Sequence, residues 1–402
     1  MTVSPLVWVL TLAVILALLA FDYFFHVRSA HVPTVREAAI WSSVYVGIAL
    51  LFGVGCFVFG GTAMGSEYFA GYITEKALSV DNLFVFLIIM TSFRVPREDQ
   101  QKVLLFGIVF SLIARTGFIF LGSALLNTFS WVFYLFGIAL LLTAGNMLKP
   151  ETEESHSAQN VVVRLARRWL RTSDEFDGDK LFTVVDGRRV LTPMVLVMAA
   201  IGGTDLLFAL DSIPAIFGLT QNVYIVFTAT AFSLLGLRQL YFLLDGLLDR
   251  LIYLSYGLAA ILAFIGAKLV LHALHENNLP FVNGGEHVDV AEISTGASLL
   301  VILGVLVITI LASLFSTRGR TQTAMARIRR DAAAYLDSEY TADPHERERI
   351  FSRLLADREH IIALGPKARQ QVKNEPELMD LCRRAADSHA IAHTDHEIRP
   401  GL

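Results

Sequence analysis

Thr74-Glu75-Lys76-Ala77-Leu78-Ser79-Val80-Asp81-Asn82-Leu83-Phe84 and Thr204-Asp205-Leu206-Leu207-Phe208-Ala209-Leu210-Asp211-Ser212-Ile213-Pro214 carry one pattern: threonine, an acid, five residues, aspartate, then a small polar residue. Both lie inside stretches that are otherwise apolar. The likeness continues downstream. Phe110-Ser111-Leu112 precedes Arg115, and Phe232-Ser233-Leu234 precedes Arg238. Tyr134-Leu135 leads to Lys149 at the same interval at which Tyr253-Leu254 leads to Lys268. Three matches in the same order make a repeat.

Working outward from these stretches, the whole chain reads as membrane-spanning. A bilayer core of about 30 Å takes roughly twenty apolar residues of helix. Nine stretches meet or approach that length: about 5–25, 40–62, 67–92, 103–124, 130–149, 194–217, 221–245, 251–271 and 294–315. Of the 402 residues, 54% are hydrophobic and 17% charged, against about 25% charged in soluble domains. The expected fold is therefore an all-α polytopic membrane protein of about nine transmembrane helices. Its transmembrane domain covers 1–316, and a helical tail follows over 317–402. The tail has mixed charge and scattered apolar residues, with breaks near Pro344, Pro366 and Pro376. A polar loop over 150–193 joins repeat A (about 67–149) to repeat B (about 194–271). Each copy holds three spans, an odd number, so the second enters from the opposite side. That is an inverted repeat, an arrangement with which transporters build mid-membrane sites.

Loop charge gives an orientation. The loops after the first, third, fifth and seventh spans carry Lys and Arg, whereas those after the second, fourth, sixth and eighth carry none. Basic residues stay on the cytoplasmic side. The expected arrangement is a multi-pass plasma-membrane protein with its amino terminus outside and its tail in the cytoplasm. No basic residue precedes Leu6–Ala20, so the first span reads as a span rather than a signal peptide. Only two cysteines are present, Cys56 and Cys382, which offer neither a disulfide framework nor a metal-ligand spacing. The net charge of −4 gives no sign of a nucleic-acid partner.

The acids are the candidate site. An aspartate at the centre of a span costs about 2.5–3.5 kcal/mol on insertion scales. Glu75, Asp81, Asp205 and Asp211 all fall within apolar spans, so basic partners, a bound cation, water or protonation must compensate. Lys76, Arg115 and Arg238 are the intramembrane bases and form the supporting charge network. Residues six apart lie about 120° apart around a helix, whereas residues seven apart share a face. Glu75 therefore lines up with Asn82, and Asp205 with Ser212. Thr74 with Asp81, and Thr204 with Asp211, form a second stripe. Opposite span directions put Glu75 and Asp211 nearer the outside and Asp81 and Asp205 nearer the cytoplasm. The expectation is two stacked acidic levels, with Gly202, Gly203 and Pro214 breaking the sixth span to free carbonyl ligands. Carboxylate, amide and hydroxyl oxygens suit hard divalent cations such as Mn²⁺, Mg²⁺ or Ca²⁺. Protonating the same carboxylates would release the ion, which gives a route to proton exchange.

On these motifs the chain resembles the TerC family of integral membrane proteins over roughly 40–316. The resemblance implies an architecture like that of the LysE exporters and efflux of Mn²⁺, with metal-binding positions at Glu75, Asp81, Asp205 and Asp211, beside Asn82 and Ser212. Two other classes compete. One is a scaffold or assembly factor for other membrane proteins, using loop and tail as docking surfaces. The other is an intramembrane aspartyl protease, since Gly202-Gly203-Thr204-Asp205 is similar to a GxGD motif; that chemistry needs apposed acids sharing a proton, which a six-residue spacing does not give. No enzyme activity is expected.

Weaker signals have plainer readings. His272, His275, Glu276, Glu286, His287 and Asp289 collect around one loop, where polarity is ordinary. Asp22 and His26 read as interfacial anchors of the first span. Asp245 and Asp249 read as turn caps, Asn127 and Asn146 as interhelical hydrogen-bond donors, and Gly53, Gly55, Gly60 and Gly61 as close helix packing.

Overall fold

The structure is a computed structural model describing residues 3–27, 33–93, 95–129, 131–148, 180–185, 188–244, 253–277, 283, 286, 288–290, 293–315, 325, 328–329, 331–332, 335–336, 344–363 and 375–398. Lys149, Asp245, Asp249, Arg250, His287, Pro366 and most of the 150–193 loop lie outside these. Two compact units are present, one of Met1–Leu243 with Ser255–Leu306 and one of Leu244–Leu254 with Val307–Leu402.

The first unit is helical, and local sequence sets its boundaries. Helix α1 (Pro5–Asp22) starts with proline in its first turn, where the missing N–H costs nothing. It runs on into a π-helical turn, Tyr23–Val27. Helix α2 (Val35–Ser92) starts at Thr34, whose hydroxyl accepts from the Glu37 N–H at 3.2 Å, one half of a capping box. It breaks once, at Gly61 (φ 79°, ψ −179°), a backbone conformation essentially restricted to glycine. The second and third expected spans thus meet there as a helical hairpin, and Tyr68 donates back across it to the Ala49 carbonyl at 3.0 Å.

Helices α3 (Arg97–Thr128) and α4 (Val132–Met147) complete the first half. Next come two short antiparallel strands, β1 (Phe182–Val185) and β2 (Arg188–Leu191), in a stretch expected as loop. The residues between them in the chain are Asp186 and Gly187, a pair favoured in two-residue hairpins. Helix α5 (Pro193–Phe217) follows, then α6 (Val223–Leu234), α7 (Leu237–Leu244), α8 (Leu254–His275) and α9 (Thr295–Phe315). Each of the nine apolar stretches falls on a described helix. Among the described residues seven helices are long and apolar enough to cross a membrane; one of these is the broken α2, and α4 is shorter, at 16 residues. The all-α polytopic fold stands.

One expectation is overturned. The sixth span does not break at Gly202, Gly203 or Pro214, because α5 continues through all three. The break lies in the seventh span instead, at Gly236 between α6 and α7 (φ 76°). The left-handed region is open to glycine and strained for other residues. A Cβ at Gly236 would also come within 2.7 Å of Tyr45 Cβ.

Helices α5 and α6 form the interior. Every residue from Tyr224 to Leu234 is buried, with α2 and α3 packed against both α5 and α6. By contrast α1 and the first half of α9 expose Leu6, Val9, Leu10, Leu300 and Val301, a perimeter suited to lipid. Without a hydrophobic drive inside a bilayer, close contact and polar ties hold helices together. Gly71 supplies one such contact, since a Cβ there would sit 3.2 Å from that of Ala229 on α6. The second half of α2 runs antiparallel to α5. Glu67 accepts from Thr220 at 2.7 Å, Gly71 lies against Ile216, and Glu75 shares Arg115 with Ser212.

The second unit contains helices α10 (Pro344–Ala363) and α11 (Glu375–Ile398). They close on a core of their own, formed by Ile328, Tyr335, Ile350, Phe351, Leu354, Cys382 and Ala385. Helix starts at Pro344 and beside Pro376 follow the tolerance of proline in a first turn. Burial in this core pushes the Cys382 thiol pKa up from its ordinary value, against the pull of Arg358.

Candidate functional site

Arg115, in the middle of α3, gathers the site. Its side chain is 1% exposed, as is Asp205, and Glu75 is 0% exposed. Nε and Nη2 reach the two oxygens of Asp205 at 3.4 and 3.2 Å, a two-pronged grip on one carboxylate. Nη1 donates to Ser212 Oγ at 3.0 Å and pairs with Glu75 Oε1. The first acids of the two similar motifs, Glu75 and Asp205, therefore meet on one guanidinium. Taking charges out of water is expensive, and such a set survives only when every member has a partner.

The register between α2 and α5 explains the grouping. Glu75 stands at the level of Ser212; carried on, the same register sets Asn82, itself buried, opposite Asp205. Each level thus holds one carboxylate and one small polar residue, and Arg115 links the two. The same register keeps the expected depths, since Asp211 adjoins Ser212 and Asp81 adjoins Asn82, but it sets Ser212 and Asn82, not those two aspartates, on the face that Glu75 and Asp205 share. Asp211 faces elsewhere: it is half-buried and accepts from Thr143 of α4 at 2.9 Å. Asp81 is half-buried on the Thr74 stripe, away from the Glu75 face.

The other two bases have separate tasks. Lys76 reaches away from the carboxylates, donating to the carbonyls of Ser233 at 2.9 Å and Leu235 at 3.5 Å. These are carbonyls at the end of α6 that the Gly236 break leaves without helical partners, and a cation is favourable there. Arg238 begins α7 and binds Asp22, not the acid site, through Nε at 3.1 Å and Nη2 at 2.8 Å. Asp22 and His26 are 5% and 6% exposed, so they are buried network members rather than interfacial anchors. The missed signal was plain: Asp22 is the one acid in an otherwise apolar helix. Thr143, Gln101 and Gln239 carried no such mark. Asn127 is corrected as well, since it donates to Ser123 within its own helix at 3.2 Å.

The site keeps unused binding capacity. Glu75 Oε2 and, one helical turn further on, Ser79 Oγ are buried and have no hydrogen-bond partner among the described residues. Each such group costs about 1–3 kcal/mol unless water or an ion satisfies it. The oxygens are carboxylate and hydroxyl, the donor set of a hard cation. Among the described residues no group of three or more His, Cys, Asp and Glu stands close enough to hold a metal ion. Around the polar loop, His272 instead meets Gln221 at 3.1 Å and the edge of Phe133. A cation between Glu75 and Asp205 would have two carboxylates and would complete its shell from hydroxyl, amide and water oxygens.

Comparison with known proteins agrees with this architecture. No solved structure matches the chain significantly. A membrane protein of Mycobacterium bovis, described as uncharacterized, is 59% identical over 396 residues, covering 97% of this chain and 100% of its own. One from Myxococcus xanthus, also uncharacterized, is 38% identical over 78% of this chain and 94% of its own. An Escherichia coli K12 protein, provisionally named a membrane-bound redox modulator, Alx, is 37% identical over 76% of this chain and 93% of its own. The family model for the integral membrane protein TerC family matches residues 60–321, and with these relatives it establishes that the chain belongs to the TerC family of integral membrane proteins.

Proposed function

We propose that this protein exports a hard divalent cation, Mn²⁺ first among them, across the plasma membrane, in exchange for protons. The observation that carries the reading is the convergence of Glu75 and Asp205 on Arg115 within the helical core. Two carboxylates against one arginine leave one negative charge, and a divalent ion replacing Arg115 as counter-charge neutralises both acids. Few charged ligands and several weak oxygen donors favour passage over permanent retention, because a transported ion must leave as readily as it enters. Protonation of the same carboxylates supplies the driving exchange. The distribution of basic residues among the loops orients the amino terminus outward and the tail to the cytoplasm.

The test is flux in proteoliposomes holding the purified protein, with Mn²⁺, Mg²⁺ and Ca²⁺ compared. Glu75→Gln and Asp205→Asn are expected to lower Mn²⁺ flux by about tenfold or more, as loss of a buried charged ligand should. Flux unchanged in both variants would refute the reading.

A second reading, a scaffold for assembly of other membrane proteins, is favoured by the separate core of the tail. Removing 317–402 separates the two: transport survives on the first reading, whereas function is lost without loss of ion binding on the second.

A further inference from the structure

A second buried polar centre lies outside the acid site and contains none of the residues assigned to the ion. Three donor groups converge on the Asp22 carboxylate. Arg238 grips it through Nε at 3.1 Å and Nη2 at 2.8 Å, Gln239 Nε2 donates at 2.7 Å, and the Tyr45 hydroxyl at 3.1 Å. His26 Nδ1 lies 3.5 Å away. Arg238 Nη1 also donates to Gln101 Oε1 on α3. This carboxylate and its arginine thus tie together α1, α2, α3 and α7.

Of these elements α7 has least support of its own. It is 8 residues long and is cut off from α6 by Gly236. A helix this short does not persist alone. Beside it lies a small cavity lined by Trp41, Arg238, Gln239 and Phe242. Gln239 Oε1 is buried there without a hydrogen-bond partner among the described residues. At its other end the break presents the Leu235 carbonyl, which accepts from Lys76, the neighbour of Glu75. The contacts run from Asp22 through Arg238 and the break to Lys76, which directly follows Glu75 in the chain.

We propose that Asp22 is a positioning residue for the cation path: by holding Arg238 it clamps the half-helix α7 against α1 and fixes the break at Gly236 whose carbonyls anchor Lys76. Asp22 touches none of the residues assigned to the ion. Its effect on flux rests on the transport reading, whereas its effect on α7 does not.

The test uses full-length protein in which Cys56→Ala and Cys382→Ala remove the native thiols. Leu237→Cys on α7 and, separately, Ile225→Cys on α6 then serve as reporters; both positions are buried, at 2% and 0% exposed. Asp22→Asn should speed N-ethylmaleimide labelling at position 237 by about tenfold, as expected for local opening, and leave position 225 slow. The charge swap Asp22→Arg with Arg238→Asp should restore slow labelling at 237. Labelling unchanged at 237, or accelerated equally at both positions, overturns the proposal. In proteoliposomes Asp22→Asn should lower maximal Mn²⁺ flux and leave KM within about twofold, the mark of a gating residue; a raised KM with unchanged maximal flux overturns it. If the unmodified protein carries no Mn²⁺, the transport reading fails and the labelling still decides the clamp.

Discussion

Arg115 and Arg238 each stand shortly after a Phe-Ser-Leu triplet, yet they serve different buried acids. Arg115 sits on an unbroken α3 and joins Glu75 to Asp205. Arg238 follows the break at Gly236 and is turned to Asp22. On α3 itself, Gln101 and Arg115 are about four turns apart, on the order of 20 Å, so the two networks lie at different depths. The difference teaches that a repeated sequence supplies the charge, while backbone continuity decides where the charge is delivered.

The largest expected effect separates the two arginines directly. Arg115→Met leaves two buried carboxylates without a counter-charge and should destabilise the protein by about 3–5 kcal/mol or abolish folding. Arg238→Met strands one acid that keeps Gln239 and Tyr45 as donors, and should cost less. Thermal unfolding in detergent checks the order; equal losses would break the comparison. Next, Gly236→Ala places a side chain in left-handed backbone and against Tyr45, and should cost about 1–3 kcal/mol by the same measurement. A neutral result would mean that the break is not fixed by this glycine. The link between the networks is testable by a double-mutant cycle: Glu75→Gln combined with Asp22→Asn should depart from additivity by more than about 0.5 kcal/mol. Strict additivity would separate the two centres. Smaller still, Thr143→Val should cost about 1 kcal/mol by removing one hydrogen bond to Asp211, without the collapse expected at Arg115. Smallest is the reaction of Cys382 with iodoacetamide, expected to be slower in the folded protein than after unfolding, because burial holds the thiol protonated.

Much of the architecture was legible in residue order. Apolar length set the spans, and a seven-residue spacing put Glu75 with Asn82 and Asp205 with Ser212 on shared faces. The site was legible in part. Residue type marked Glu75 and Asp205 as costly inside a membrane, but nothing in either motif told which of three bases would compensate them. Asp22 was read as an anchor because it ends its helix, and only its neighbours on α2, α3 and α7 show that the end is covered.

Two further matters were decided by packing alone. Proline and glycine mark places where a helix is able to break, and several were available. Pro214 is carried within a continuous α5, whereas Gly236 breaks the seventh span where Tyr45 crowds it and Lys76 caps the freed carbonyls. The antiparallel seating of α2 on α5 likewise chose which acids share a counter-charge, turning Asp211 to Thr143 and leaving Glu75 and Asp205 to Arg115. Residue order fixes helix length, faces and charge inventory because these depend on near neighbours. Which break is realised, and which charges meet, depends on contacts between residues far apart in the chain.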